Sequence, residues 1–379
     1  MQLSVIILNY NVRHFLELCV LSVQNALKNL DAEIIVVDNN SSDDSCAMMK
    51  QRFPNVKLIE NKENFGFPKG NNIGVSQAKG EYICILNPDT VVAEDTFEKI
   101  LNSELWHQNA GIIGCKLVDG TGNFLPESKR GIPTPWVAFT KIFGLYKLFP
   151  KSKYFNQYYA QQFSENETGK VDILVGAFMV MQRQLYNEIG GFDENCFMYS
   201  DDIDLSYRVL QKGKSNYYFH DTTVIHYKGE STVKDGTYMK RFQEAMNFFY
   251  KKHFKISIFF TVFMKVGIVL FSFVKKIQGH SKPSVNPERY ILISEDESLK
   301  QKLESRLKKE VMLHDIRHLS EENFKSEIIF DQNYLDFKAI IKAFETYKKD
   351  NCTYKILPKS TDFLIGSNSS FDRGEVIRF

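Results

Sequence analysis

Three carboxylates within four residues, Asp201, Asp202 and Asp204, open the run DDIDLSYRVL, and His226 follows one short element later. Ile203, Leu205, Val209 and Leu210 recur at helical spacing, so the acids stand at or just before a predicted helix N-terminus, where free backbone N–H groups and the dipole favour negative charge. An acidic N-cap explains one such residue. Three beside a histidine exceed what a cap uses, and they are the types that hold a hard cation or take a proton from a hydroxyl.

The elements that must position them lie in the N-terminal third. Leu3 to Leu8 (LSVIIL) and Glu33 to Val37 (EIIVV) are short, β-branched apolar runs, the pattern of parallel strands buried on both faces. Polar turns and helical segments follow each, Val12 to Leu27 and Asp43 to Arg52, and further strands are expected at Val56 to Glu60 and Tyr82 to Leu86. This alternation implies an α/β fold with right-handed crossovers. Ligands bind beyond the carboxyl ends of such strands, so Asn9, Asp38 and the turn Asn87-Pro88-Asp89 are expected to converge on one crevice. Between the third and fourth strands, NFGFPKGNNIG sets Gly66, Gly70 and Lys69 at a loop-to-helix junction. That composition suits close backbone approach to a phosphate, and equally an ordinary glycine-rich turn. It is neither a P-loop nor a dinucleotide fingerprint.

In order along the chain, VIILNYN, VVDNNSSDDS, NFGFPKGNNIG, LNPDT, GAFMVMQRQLYNEIGGFDE, MYSDDIDLSYRV and HYKGES resemble the inverting family-two glycosyltransferases of the GT-A fold, in particular their rhamnosyltransferase and galactofuranosyltransferase-like branch. The resemblance covers roughly the first 250 residues. It implies a Rossmann-like nucleotide-diphospho-sugar transferase domain over residues 1–253. By position, Asp38 would bind the nucleotide base, with Lys69 and Asn71 in the nucleotide-sugar pocket beside Asn9, Gly66 and Asn87. Asp89 would bind the divalent cation (Mg2+ or Mn2+) on the diphosphate, with His226 as a further metal or phosphate ligand. Asp202 would be the catalytic base, supported by Asp201 and Asp204. Two departures stand out: Asn87-Pro88-Asp89 carries one acid where many relatives have two, and Asp201 replaces a frequent glutamate.

The chemistry asks for these residue types. A departing nucleoside diphosphate gathers negative charge that a cation held by oxygen ligands neutralises, and the acceptor hydroxyl needs a base as the new bond forms. One in-line displacement inverts the anomeric centre without a protein nucleophile. G-x-S-x-G, H-E-x-x-H and paired C-x-x-C are absent, which speaks against the hydrolase and zinc classes. The reading is transfer of a rhamnose-like deoxyhexose or galactofuranose to a lipid-linked or surface glycan. Its alternatives are a processive polysaccharide synthase, whose Q-x-x-R-W motif is missing, and a non-catalytic nucleotide-sugar-binding scaffold.

The net charge of +2 over 379 residues gives no basic excess for nucleic acid. Six scattered cysteines read as reduced core thiols, and the apolar N-terminus reads as a strand, not as a signal peptide, so the expected location is the cytoplasmic face of the cell membrane. Membrane contact has two signals. Ile256 to Val274 has Lys265 as its single charge, with Ser257, Thr261, Lys265 and Ser272 on one narrow arc, so residues 254–282 are read as an amphipathic membrane-associated helix and linker. A spanning helix and a buried core helix are the alternatives. Pro133 to Tyr154 alternates aromatics with lysines, as a lipid-touching patch or an acceptor-side loop would. Residues 283–379 are expected to form a small α/β domain of unassigned role, with strands at Arg289 to Ser294, Ser326 to Phe330 and Thr353 to Leu357 and helices at Glu297 to Lys309 and Phe337 to Lys349. Its closing residues, DFLIGSNSSFDRGEVI, faintly resemble the Rossmann-like domain attached to polyprenyl-phosphate sugar transferases.

Overall fold

The computed structural model describes residues 1–134, 136–137, 140, 144–149, 152, 154–155, 157–160, 163–228, 236–254, 287–321, 325–349, 352–368 and 374–379. The segment read as a membrane-associated helix, Ile256 to Val274, lies outside the described residues, as do Gly229 to Ser231 of the HYKGES motif. Among the described residues no helix is long and apolar enough to cross a membrane.

The N-terminal alternation forms as its apolar runs demand. β1 (Leu3–Asn9), β2 (Ala32–Asp38), β3 (Lys57–Glu60) and β4 (Tyr82–Leu86) pair in parallel in the order β3-β2-β1-β4. They are linked by α1 (Arg13–Ala26), α2 (Ser45–Arg52) and α3 (Gly66–Ser76). Every residue of β1 is buried because each face meets its own core: Leu3, Val5 and Ile7 join Leu16, Val20 and Val23 of α1, while Ile6 and Leu8 join Val75 of α3. Gly70 belongs to this packing: a Cβ there would stand 2.4 Å from Leu8 Cδ1, so the glycine lets α3 lie close on β1.

The rest of the sheet departs from the parallel pattern. β5 (Thr90–Val91) follows the strand-end turn, then α4 (Thr96–Leu101) and β6 (Ala110–Val118). β7 (Gly169–Val171) and β8 (Phe178–Gln182) lead into α5 (Arg183–Glu188), α6 (Asp201–Gln211) and the twelve-residue β9 (Ser215–His226). β8 inserts antiparallel between β4 and β6, β6 pairs in parallel with β9, and β5 closes antiparallel on the far end of β9. The result is a mixed nine-stranded sheet. α7 (Gly236–His253) packs against it through Met246, Phe249 and Tyr250, beside Ile173 and Ile203.

The C-terminal third forms a second, six-stranded sheet. β10 (Arg289–Ile293), β11 (Val311–His314), β12 (Ser326–Asp331) and β13 (Cys352–Leu357) are parallel in the order β11-β10-β12-β13, and the antiparallel β14 (Phe363–Gly366) and β15 (Glu375–Arg378) extend one edge. Its helices α8 (Glu297–Leu307) and α9 (Phe337–Thr346) are capped by Asp296 and Asp336, which accept from Leu299 N and Ala339 N at 3.0 and 2.7 Å. This sheet shares a core with the first: Phe15, Val91, Ile225 and Tyr227 pack in one cluster with Ile340, Phe344 and Ile356. Across the junction Glu94 accepts from Phe337 N and Lys338 N at 2.9 and 2.8 Å, serving the helix start from the other sheet. The junction therefore backs directly on the β5–β9 pairing.

Candidate active site

The strand-end argument predicts a crevice beyond β1, β2 and β4, and a cavity of about 400 Å³ opens there. Its lining includes Tyr10, Asn39, Gly66, Asn87, Pro88, Glu127, Arg130, Tyr158, Tyr159, Asp201, Asp202 and Lys228. The pieces come from far apart in the chain, and each has a local reason for its place.

Asp38 ends β2 and turns its carboxylate inward: Oδ2 accepts from Asn9 Nδ2 at 2.7 Å and from Ser41 Oγ at 2.7 Å, and Oδ1 accepts from Ser41 N at 2.8 Å. Asn9 and Asp38, expected from the sequence in the nucleotide-binding crevice, bond to each other as a buried brace, and neither is among the cavity-lining residues. Gly66 lines the cavity with φ +78; a Cβ on it would meet Phe197 O at 2.8 Å, and Phe67 N donates to that same oxygen at 3.1 Å. This glycine ties the α3 start to the loop that carries the acids. Asn71 is buried on α3 with Nδ2 on Phe67 O, and Lys69 lies over the Phe65 ring at 3.9 Å; neither is among the cavity-lining residues.

The three acids separate. All occupy the first turn of α6, whose N-cap is Ser200, and none serves as a side-chain cap. Asp202 lines the cavity and is clamped: Oδ2 accepts from Arg130 Nη2 at 2.5 Å and from Gly176 N at 3.2 Å, and Oδ1 accepts from Ile203 N at 2.7 Å. Asp201 lines the cavity next to it, and burial, then the charge of Asp202, push its carboxyl well above the usual carboxylate range. Asp204 points elsewhere. It binds Arg208 on its own helix and Lys252 and His253 of α7 at 2.6 to 2.8 Å, so it fastens two helices and stays out of the cavity. Tyr199, two residues before Asp201, holds φ +77, an uncommon conformation for a non-glycine residue and one that concentrates at functional sites.

Asp89 and His226 meet because β5 pairs antiparallel with β9, setting Thr90 opposite His226 and bonding Tyr227 N to Asp89 O at 3.0 Å. His226 Nε2 lies 3.4 Å from Asp89 Oδ1 and 3.3 Å from Asn87 Nδ2, immediately behind the Asn87-Pro88 stretch of the cavity wall. Both side chains are buried, and Asp89 Oδ1 has no hydrogen-bond partner. A buried carboxylate oxygen without a partner, facing an imidazole nitrogen, fits one divalent cation. Among the described residues no three His, Cys, Asp or Glu side chains gather for a metal, so further ligands would be phosphate oxygens and water, as suits Mg2+ or Mn2+ on a diphosphate.

Arg130, Glu127, Lys228, Tyr158 and Tyr159 join the cavity without having been singled out in the sequence. Lys228 pairs with Glu127, whose carboxyl ends below its usual range: burial would raise it, and the Lys228 ammonium outweighs that. Lys228 stands two residues past His226 with φ +58, which only the HYK run could have hinted at. Arg130 follows Lys129 in an irregular stretch with no periodicity, and nothing local distinguishes it from a surface arginine.

Residues 4–190 match the model of Glycosyl transferase family 2. N-acetylglucosaminyl-diphospho-decaprenol L-rhamnosyltransferase of Mycobacterium tuberculosis is 25% identical over 244 residues, covering 62% of this chain and 78% of that protein. Rhamnosyltransferase WbbL of Escherichia coli is 28% identical over 227 residues, 54% of this chain and 78% of the relative. GalNAc(5)-diNAcBac-PP-undecaprenol beta-1,3-glucosyltransferase of Campylobacter jejuni is 30% identical over 181 residues, 44% and 57% of the two chains. Among solved structures, mannosyltransferase PcManGT from Pyrobaculum calidifontis in complex with GDP-Man and Mn2+ superposes with a TM-score of 0.46 at 17% identity, over 74% of this chain and 76% of that one.

Proposed function

From the premise that residues 4–190 are a glycosyl transferase family 2 domain, we propose that this chain moves a rhamnose-like deoxyhexose or galactofuranose from a nucleotide-diphosphate donor to a lipid-linked or surface-glycan acceptor, with inversion. The observation that carries this is the meeting at one cavity of Asp202, its partner Arg130 and the Asn87-Pro88 stretch, next to the buried pair Asp89 and His226. Two relatives named for a rhamnosyl transfer, and two named for a polyprenol diphosphate, support the sugar and acceptor classes.

Asp202 takes the proton of the acceptor hydroxyl as that oxygen forms its bond to the anomeric carbon. The clamp of Arg130 and Gly176 N fixes the carboxylate so that little reorganisation accompanies the transfer. Asp201, holding a proton more tightly than an ordinary aspartic acid, leaves one negative charge between the two. Lys228 adds positive charge at the cavity wall where the diphosphate departs. A divalent cation held by Asp89 and His226 would supply further neutralisation of that leaving group. The protein works at the cytoplasmic membrane surface, a reading supported by six cysteines that form no disulfide and by the Ile256 to Val274 sequence, whose pattern suits an in-plane amphipathic helix.

The test is a panel of nucleotide sugars with Mn2+ or Mg2+, scored by thermal stabilisation and then by transfer to a polyprenyl-linked acceptor, with the product's anomeric configuration read by NMR. Stabilisation by one donor class and an inverted product are expected. A panel in which no nucleotide sugar stabilises the fold with either cation would refute the reading, and a retained configuration would remove Asp202 as the base of a single displacement.

A further inference from the structure

We propose that the surface carrying Trp136, Leu148, Phe149 and Tyr154 docks on an anionic phospholipid bilayer and brings a membrane-borne acceptor to the mouth of the cavity. It rests on the transferase reading for its purpose, and on the following geometry for its place.

Four large apolar side chains stand out from the surface here: Trp136 is 47% exposed, Phe149 51%, Leu148 69% and Tyr154 74%. A fifth side chain, Phe155, bridges two of them. Phe155 lies 5.9 Å from the ring of Trp136 and 5.2 Å from that of Phe149, and Trp136 Nε1 donates to Tyr154 O at 2.9 Å. Aromatic rings of this kind, apolar in body with a polar tip, favour the headgroup boundary of a bilayer. The sequence charge is one-sided. Residues 131–160 contain Lys141, Lys147, Lys151 and Lys153 and no Asp or Glu, in a chain whose totals nearly balance at 48 basic against 46 acidic residues. An apolar patch in a stretch of sequence whose only charges are lysines complements an anionic lipid surface, and it opposes a cationic one.

The patch is also joined to the site. Arg130 at one end and Tyr158 and Tyr159 at the other line the cavity, and Gly131 N donates to Tyr158 O at 3.1 Å, closing the segment at its base. Its root is held by α7: Tyr250 OH donates to Pro133 O at 2.8 Å, and Ile132 packs with Phe249, Tyr250 and Phe254. Phe254, at that root, stands two positions before the apolar sequence Ile256 to Val274. A surface that is aromatic and attached at both ends to the cavity mouth places the cavity over the plane where a lipid-linked sugar emerges.

The chain has two tryptophans, so Trp106→Phe leaves Trp136 as a local reporter on the full-length protein. With vesicles containing phosphatidylglycerol, Trp136 emission should shift to the blue and be quenched by brominated acyl chains, whereas purely phosphatidylcholine vesicles should have little effect. The triple variant Leu148→Ser/Phe149→Ser/Tyr154→Ser should lower vesicle partitioning by about tenfold or more. Each of Lys151→Gln and Lys153→Gln should lower it on the order of fivefold in low salt. Transfer to a water-soluble acceptor analogue should keep its kcat and KM in the triple variant, while KM for the vesicle-borne acceptor rises. Protein that floats with vesicles while Trp136 stays unquenched would overturn the proposal, because binding then runs through another part of the chain. Triple-variant protein that loses self-association but keeps its vesicle binding would overturn it in favour of a contact between two copies. Quenching without transfer to any acceptor would leave the docking surface standing and remove the transferase reading instead.

Discussion

Replacing Arg130 by methionine keeps most of the side chain's length and removes its charge. In the native protein the guanidinium donates to Asp202 Oδ2 at 2.5 Å and to Leu174 O at 3.0 Å, with the two side chains only 10% and 12% exposed. The substitution leaves the Asp202 carboxylate buried beside Asp201 with two backbone donors, Gly176 N and Ile203 N, at 3.2 and 2.7 Å. Stranding one member of a buried ion pair costs about 3–5 kcal/mol, and the two remaining donors place this case near the lower figure. A loss near ~3 kcal/mol is a large share of the roughly 5–15 kcal/mol that holds a domain together, so urea denaturation resolves it. Asp202→Asn in the same background removes the stranded charge, and the double variant should recover more than about 1 kcal/mol relative to the sum of the single losses. Turnover adds an independent reading: Arg130→Met should lower kcat by about 10²-fold, and the double variant should be no worse than the weaker single one, because both act on one carboxylate. Arg130 also opposes the upward push on the Asp201 carboxyl, so its loss should raise the pH at which Asp201 gives up its proton. A coupling energy below ~0.5 kcal/mol, or additive kinetic losses, would show that the two side chains do not act as a pair, and the argument built on the clamp would fall.

Asp202→Asn alone should leave donor binding, measured by thermal shift, nearly intact while kcat drops by at least about 10²-fold; near-normal turnover would remove it as the base. Asp89→Asn and His226→Gln should each abolish the Mn2+-dependent part of nucleotide binding in calorimetry, and chelation should do the same to the native protein; binding that ignores both would exclude this corner as the cation site. Asp201 carries a carboxyl raised by burial and by Asp202, so the folded state holds its proton more tightly than the unfolded one. Its contribution to stability is therefore present at acid pH and is lost as pH rises from the unfolded value of about 4 through the raised folded one. Asp201→Asn should stabilise the protein at neutral to mildly basic pH, and an unchanged urea midpoint there would contradict the assignment. His14, against Phe363 at the junction of the two sheets, behaves in the opposite sense: burial, then Arg13 and Arg378, lower it to about 4. Stability should fall as pH drops from about 6.5 towards 4, and His14→Gln should flatten that slope in urea midpoints measured across the window.

Much of the scaffold was legible because its signals are local. The runs LSVIIL, EIIVV and YICIL are too uniformly apolar and β-branched to be anything but strands buried on both faces, and β1, β2 and β4 appear at those residues. Asn9, Asp38 and Asn87 fall at strand ends by the same logic, yet of the three only Asn87 lines the cavity, while Asn9 and Asp38 bond to each other. The insertion of β8 between β4 and β6 was not readable, because strand order is settled by long-range pairing that leaves no mark in any short window. The same pairing decided the cation corner: Asn87 and His226 are 139 positions apart, and only the antiparallel closure of β5 on β9 brings Asp89 against the imidazole. Among the acids the sequence held part of the answer, since at about 100° per residue Asp204 must face away from Asp202 on the same helix. Which face meets the cavity, and which meets Lys252 and His253 of α7, depended on how α6 packs. Arg130 marks the limit. A single arginine in an aperiodic stretch has the same side chain whether it is solvated or buried, and only the fold, by excluding water around it and delivering the Asp202 carboxylate from 72 positions away, makes it part of the chemistry.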